Sequence, residues 1–359
     1  MAVTIRDVAR AAGVHISTVS RAFSAPHLVH AETRAKVLGT AEELGYRPNR
    51  AARALITGRT HNIGLIVADI ANPFFPPLIK AAESQARMRD HHVFVAETDE
   101  DPLVEAELVR ALSKQVDGIV LCSPRLNNGS IEQLAREVPL VLVNRRVPGL
   151  PSVTMDVAQG AGLAIDHLVA DGHRDIALLT GPRGSWTSRE QRRAATLAAD
   201  RSGARLTVSG PNQPTEEGGI AAAEHIVGSG ATAVLTYNDL MAIGLIEGLD
   251  RLGKKVPADV SVIGVDDTIL GRVTRPRLTT VATPTAAAGR AAVDMLLQHG
   301  DERRTTAQVS LQTELIVRDS TSAPPAPRSG TPPHGHATAP PTLDGTEGAA
   351  AEPQGGAAT

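Results

Sequence analysis

Two periodicities divide the chain. Near the N-terminus apolar positions recur at helical spacing, whereas from Asn62 onward short apolar runs alternate with amphipathic stretches. Thr4-Ile5-Arg6-Asp7 reads as a capping box that starts a helix at Ile5, with Thr4 accepting from the third helical N–H and Asp7 reaching back. Ile5, Val8, Ala9 and Ala12 fall on one face, and Gly13 supplies the left-handed residue that stops the helix. A second short helix over 16–23 turns Val19 and Phe23 inward and Ile16, Ser17, Ser20 and Arg21 outward. A third, over 31–44, ends at Gly45 by the same device. Two short helices joined by a glycine-containing turn, with a third behind them, make a helix-turn-helix bundle. The pattern also fits a generic three-helix bundle whose polar face sees only water.

The segment from Tyr46 to Leu55 differs in kind. Asn49 suits an N-cap and the Ala and Arg residues favour helix, yet Leu55 is its one large aliphatic side chain, so it is too short and polar to be stable alone. Such a segment can order on DNA, with Leu55 as a wedge in the minor groove; it also fits an ordinary linker helix. Beyond it, the apolar runs 63–67, 93–96, 118–122, 140–143, 176–179, 233–236 and 260–263, mostly separated by helical patterns, predict βαβ architecture. More than five strands over about 260 residues point to two parallel sheets side by side. Ligands in such folds bind beyond the C-terminal strand ends. The polar clusters there are 69–75, 144–146, 180–182, Asn238-Asp239 and 265–267.

Composition adds constraints. Aromatics make up 2% of the chain against 42% hydrophobic residues, so the core must be aliphatic, as buried parallel strands require. Residues 1–60 carry nine Lys or Arg against four acids, while the whole chain is −3. A head of +5 on a body of −8 suits a head that meets a phosphate backbone. The single cysteine, Cys122, sits in an apolar run, no export signal or long apolar span occurs, and a cytoplasmic protein without membrane contact is expected. From about Thr321 to residue 359 the chain is rich in Pro, Ala, Gly, Ser and Thr and is expected to be disordered.

The ordered signals Val3-Thr4-Ile5-Arg6-Asp7-Val8-Ala9, Ser17-Thr18-Val19-Ser20-Arg21, Leu44-Gly45-Tyr46-Arg47-Pro48-Asn49, Asn72-Pro73-Phe74-Phe75, Gly172-His173-Arg174, Asn238-Asp239 and Val265-Asp266-Asp267 resemble the lactose-repressor (LacI/GalR) family over about residues 2–320. The resemblance implies a DNA-binding domain over 1–58 with a hinge helix near 49–57, and a two-subdomain effector domain like a periplasmic binding protein over 59–320. By the same resemblance Ile16, Ser17 and Arg21 read bases, Thr4, Thr18 and Ser20 contact DNA, and Asn49, Ala52 and Leu55 belong to the hinge, with Leu55 intercalating. Phe74, Phe75, Arg192, Asn238 and Asp266 would line the effector pocket. Arg, Asn and Asp can each hold vicinal hydroxyls, and an aromatic can cover a sugar ring, so the set suits a sugar; a structural salt bridge and turn caps remain the alternative.

There are departures. His15 and His30 stand where relatives place Ser at the second and third helix starts, and Ala195-Thr196 replaces a glycine and an aromatic after the expected pocket arginine. The implied function is a transcription regulator, taken as a repressor, acting as a homodimer on pseudopalindromic double-stranded operator DNA, with no cofactor, no metal and no catalytic residue. No Walker A motif, zinc-ligand spacing or nucleophile elbow argues for an enzyme. A solute-binding protein of the same fold without a DNA role fits residues 62–320, but the basic head speaks against it.

Overall fold

The computed structural model describes residues 3–47, 59–299 and 306–325. Three helices form the head, α1 (Ile5–Ala12), α2 (Ile16–Ser24) and α3 (Ala31–Glu43). The Asp7 carboxylate closes the cap of α1 by accepting from the Thr4 N–H at 3.0 Å and the Thr4 hydroxyl at 2.7 Å. The Thr4 hydroxyl also faces the Asp7 N–H, so both arms of the expected capping box are present, and the bonds from Thr4 hold the Asp7 carboxyl below its ordinary pKa. Gly13 takes φ +66 and reverses the chain. Val8, Ala12, Val19 and Val37 form a small buried core, with Phe23 and Tyr46 edge to face at 5.9 Å. The hinge residues Asn49, Ala52 and Leu55 lie outside the described residues.

From Asn62 the chain builds two α/β halves on one plan. The strands of the first half are β1 (Asn62–Val67), β2 (His92–Glu97), β3 (Gly118–Cys122), β4 (Leu140–Val143) and β5 (Ser152–Met155). Its intervening helices are α4 (Phe75–Met88), α5 (Pro102–Leu112) and α6 (Asn128–Glu137). Helix α7 (Val157–Ala170) then crosses over, and the second half follows with β6 (Asp175–Leu179), α8 (Trp186–Ser202), β7 (Arg205–Ser209), α9 (Glu216–Ser229), β8 (Ala233–Thr236), α10 (Asp239–Arg251), β9 (Ser261–Asp266), α11 (Ile269–Val273) and β10 (Thr279–Ala282). Helix α12 (Thr285–His299) returns to the first half. Strands β11 (Gln308–Leu311) and β12 (Glu314–Ile316) finish one sheet each.

The strand orders are β11-β5-β4-β3-β1-β2 and β12-β10-β9-β8-β6-β7. All pairings are parallel except β10 with β12. The seven strands expected from apolar runs are present. Strands β5, β7, β10, β11 and β12 carry too many polar residues to announce themselves; β7, β11 and β12 are sheet edges, where one side needs no burial. Central strands such as β3 and β4 are buried along their whole length. Each buried Val, Leu or Ile there contributes about 1.5–3 kcal/mol relative to exposure.

The chain crosses between the halves three times, near Asp156, Thr283 and Thr313. Two crossings are tied together, since Asp156 N–H donates to the Leu311 carbonyl at 2.8 Å and the Thr313 hydroxyl to the Asp156 carbonyl at 2.9 Å. The expected tail boundary at Thr321 falls too early. Val262 N–H donates to the Ser320 carbonyl at 2.8 Å, Ser322 N–H to Ser261 Oγ at 3.1 Å, and buried His173 bridges Thr232 Oγ1 and the Ser322 carbonyl. Hydrogen bonds to the side chains of Thr279, Ser261 and His173 keep Thr321 and Ser322 in the fold despite their composition. Among the described residues no helix is long and apolar enough to cross a membrane, and no cluster of His, Cys, Asp or Glu is arranged to hold a metal.

Candidate functional site

In the head, α2 presents Ile16, Ser17 and Arg21 to solvent, with Thr18 and Ser20 half-buried at its flanks and Thr4 exposed at the start of α1. Val19 and Ala22 face the core, so one side of the helix is held while the other stays free. The substitution at His15 does not leave the helix uncapped. Its Nδ1 accepts from the Ser17 N–H at 3.3 Å and lies 2.8 Å from Ser17 Oγ, replacing the usual serine oxygen by a ring nitrogen. His30, in contrast, makes no side-chain cap.

A second site lies between the two halves. Its lining includes Asn72, Phe74, Phe75, Glu100, Ser123, Arg125 and Asn144 from the first half, and Thr187, Gln191, Tyr237, Asn238 and Asp266 from the second. Phe74 and Phe75 are buried and meet edge to face at 4.9 Å, held by Asn72, whose Oδ1 accepts from the Phe74 N–H at 3.0 Å. Asn238 caps α10, accepting from the Met241 N–H at 3.0 Å and donating to the Pro214 carbonyl at 2.9 Å. Its amide keeps one donor and one lone pair for a ligand.

Asp266 ends β9 at φ +121, a backbone conformation that a side-chain-bearing residue rarely adopts. Its carboxylate has no hydrogen-bond partner among the described residues. Burial, and then the neighbouring Asp239, push its pKa well above the ordinary value. Asp239 behind it is fully buried and satisfied by Thr268 N–H (2.7 Å), Thr268 Oγ1 (3.0 Å) and Thr280 Oγ1 (2.6 Å). Burial still raises it to about 6, against those bonds. Gly264 makes this possible, because a Cβ there would lie 2.3 Å from the Asp239 carboxylate.

The first half contributes a neutralised charge. The Arg125 guanidinium forks onto Glu100, with Nη2 at 2.9 Å from Oε1, and Nη1 donates to the Ser123 carbonyl at 2.7 Å. Burial opposes its charge, and Tyr237 and Glu100 outweigh burial. Glu105 lies beneath, accepting from the Arg125 N–H at 2.8 Å, while its Oε1 has no partner among the described residues. Burial lifts Glu105 to about 7. Arg145 reaches the Leu126 carbonyl (3.0 Å), Asn128 Oδ1 (2.8 Å) and, across the cleft, the Gly184 carbonyl (3.5 Å).

Of the expected pocket residues the structure brings together Phe74, Phe75, Asn238 and Asp266, and it corrects Arg192. That side chain is exposed and lines a different pocket. Gln191 faces the cleft instead, anchored by its Nε2 to the Thr236 carbonyl at 2.9 Å. One residue is about 100° of turn on a helix, and the buried stripe of α8 runs through Thr187, Ser188, Gln191, Ala195, Ala198 and Ala199. That stripe was readable from the alanines and would have selected Gln191. Arg125 and Glu100 carried no such local signal, since they meet only through the sheet.

The model for bacterial regulatory proteins of the lacI family matches residues 4–49, and the model for a periplasmic binding protein-like domain matches residues 165–321. Over 345 residues the chain is 35% identical to the HTH-type transcriptional regulator DegA of Bacillus subtilis strain 168, covering 90% of this chain and 99% of that one. A solved lac repressor dimer bound to operator and an anti-inducer superposes with a TM-score of 0.81 at 29% identity, over 90% of this chain and 100% of that chain. A transcriptional regulator CelR–cellobiose complex matches at a TM-score of 0.66 and 28% identity, over 89% and 99%. These relatives are transcription regulators, and none supports a solute-binding protein without a DNA role. With a helix-turn-helix head and a two-half cleft domain on one chain, this protein is a DNA-binding transcription regulator that belongs to the lacI family.

Proposed function

We propose that the chain is a sugar-responsive repressor that acts as a cytoplasmic homodimer on pseudopalindromic operator DNA. Helix α2 enters the major groove, with Ile16, Ser17 and Arg21 on base edges and Thr4, Thr18 and Ser20 on phosphates. Asn49, Ala52 and Leu55 serve the hinge, with Leu55 opening a central base step. The cleft takes a neutral polyol. Its hydroxyls meet Asp266, Asn238, Gln191 and Asn144, and Phe74 and Phe75 cover its apolar face.

The observation that carries the ligand class is the cleft's charge pattern. Arg125 is already matched by Glu100, so the lining sums to −1 with Asp266 ionised and to zero with it protonated. In neither state is a cation left for a phosphate or carboxylate. A carboxylate without a partner is the group that vicinal hydroxyls satisfy best. About 50 Å³ is free between the halves, well below the roughly 300–1,000 Å³ of ligand clefts, so entry requires the halves to part about the three crossings. A ligand that binds one arrangement better shifts the spacing of the paired heads, and DNA affinity with it.

The test is fluorescence anisotropy on an operator fragment selected from genomic DNA. Arg21→Ala is expected to weaken binding roughly tenfold to a hundredfold and to relax specificity at one base pair. A panel of neutral sugars should contain one that shifts operator affinity in the parent chain and not in Asp266→Asn. Equal responses in both, or a response only to sugar acids, would sink the cleft assignment.

A further inference from the structure

Arg192, displaced from the cleft, marks a second pocket. It is lined by Arg192, Arg189 and Ser188 of α8, Arg183 of the preceding loop, Val208 of β7, and Gly210 and Pro211 just beyond that strand, around about 360 Å³. Among the described residues no acidic side chain lines it. None of the three guanidiniums makes a hydrogen bond or ion pair among the described residues, whereas the adjacent Arg193 is paired with Glu190 at 3.0 Å. The positive field extends inward, since Arg189 works, after burial, to lower the Arg145 pKa. Three like charges around one concavity repel one another until an anion joins them. Guanidiniums grip the oxygens of a phosphate in pairs.

We propose that this pocket binds a small phosphorylated metabolite and that its occupancy adjusts the neutral-sugar cleft. The volume suits a small molecule. The cleft has no spare cation, so the two sites select opposite chemistries. Both share α8, which sends Thr187 and Gln191 into the cleft and Ser188, Arg189 and Arg192 into the second pocket. The Gly181 N–H at the pocket rim donates to Ser188 Oγ at 3.0 Å. A Cβ on Gly181 would lie 2.6 Å from the Tyr237 ring, so that rim is pressed directly on a cleft residue. The Tyr237 hydroxyl in turn bonds Ser185 and Thr187, each at 3.1 Å. A phosphate that draws Arg189 and Arg192 together therefore moves the first turns of α8 and the cleft side chains they carry, and the coupling is reciprocal.

Calorimetric titration of the full chain with glycerol 3-phosphate and inorganic phosphate, against glycerol at matched ionic strength, tests this. Saturable binding of the phosphates is expected, weakened at least tenfold by Arg192→Ala or Arg189→Ala, partly restored by Arg192→Lys, and unchanged in Arg193→Ala. Thermal unfolding of each variant confirms that the fold is kept. A signal that follows ionic strength alone, equal loss in Arg193→Ala, or loss in Asp266→Asn would overturn the proposal. So would weaker operator binding by the Arg189 and Arg192 variants without phosphate, which would make the patch a DNA contact.

Discussion

The two α/β halves share a strand order yet bring opposite electrostatics to the cleft between them. The first closes its charges internally, with Arg125 on Glu100 and Glu105 buried beneath. The second leaves Asp266 unpartnered over the satisfied Asp239. Topology therefore fixes where a ligand binds, while side-chain pairing fixes which half supplies the binding energy. The halves differ in packing as well. Close helix approach in the first relies on Gly289, where a Cβ would lie 2.4 Å from the Leu78 carbonyl. In the second, α9 and α10 meet through Gly219, Gly244 and Gly248.

The largest effect is expected at those glycines. A Cβ at Gly244 would sit 1.9 Å from the Glu216 carbonyl, a backbone atom that cannot swing aside. Gly244→Leu should destabilise by about 3 kcal/mol or more in urea unfolding. A tolerated substitution would show that α9 and α10 can separate freely and would erase this difference between the halves.

Next is Asp266→Asn, expected to weaken effector binding about a hundredfold by calorimetry, as loss of charged hydrogen bonds worth roughly 1.5–3 kcal/mol each predicts. The half-buried Asp266 carboxyl makes no hydrogen bond among the described residues, so the unliganded protein should keep its stability. A loss of fold together with binding would mean that Asp266 is structural.

Buried carboxyls give the third contrast, read from stability against pH. Glu105 has a folded pKa of about 7, above its ordinary 4.5. The folded state therefore holds the proton more tightly, and this contribution is present below about pH 4.5 and lost as pH rises through 7. Glu105→Gln should flatten that slope and add about 2 kcal/mol of stability at pH 8 relative to the parent. Asp239→Asn should instead destabilise, because the amide keeps only one of the two oxygens that accept from Thr268 and Thr280, and its nitrogen would face at least one of those donors. Parallel behaviour of the two variants would break the comparison.

The smallest effect separates two neighbours on α8. Gln191→Ala should weaken effector binding about tenfold, the scale of one lost hydrogen bond, while Arg192→Ala changes it less than about twofold, as surface substitutions do. The reverse order would restore Arg192 to the cleft.

What the sequence determined by itself was local. The cap at Thr4, the reversal at Gly13, the free face of α2 and the central strands all follow from physics that acts within a few residues. Motif order then identified Phe74, Phe75, Asn238 and Asp266 as cleft residues, because they sit at element ends whose positions the βαβ plan sets. Strands β5, β7, β10, β11 and β12 were not legible, since their Ser, Thr, Arg, Gln and Glu residues interrupt the apolar run, whereas the edge strand β2 was legible from Val93 to Ala96. Neither was the choice of Gln191 over Arg192, which turns on one helical step. The tertiary structure alone decided which charges are matched. Glu100 meets Arg125 from 25 residues away, and Asp239 meets Thr280 from 41. Asp266 is left unpaired because no donor from either half reaches it among the described residues. Pairing across such separations depends on where sheets and helices come to rest, and that is settled by packing of the whole core.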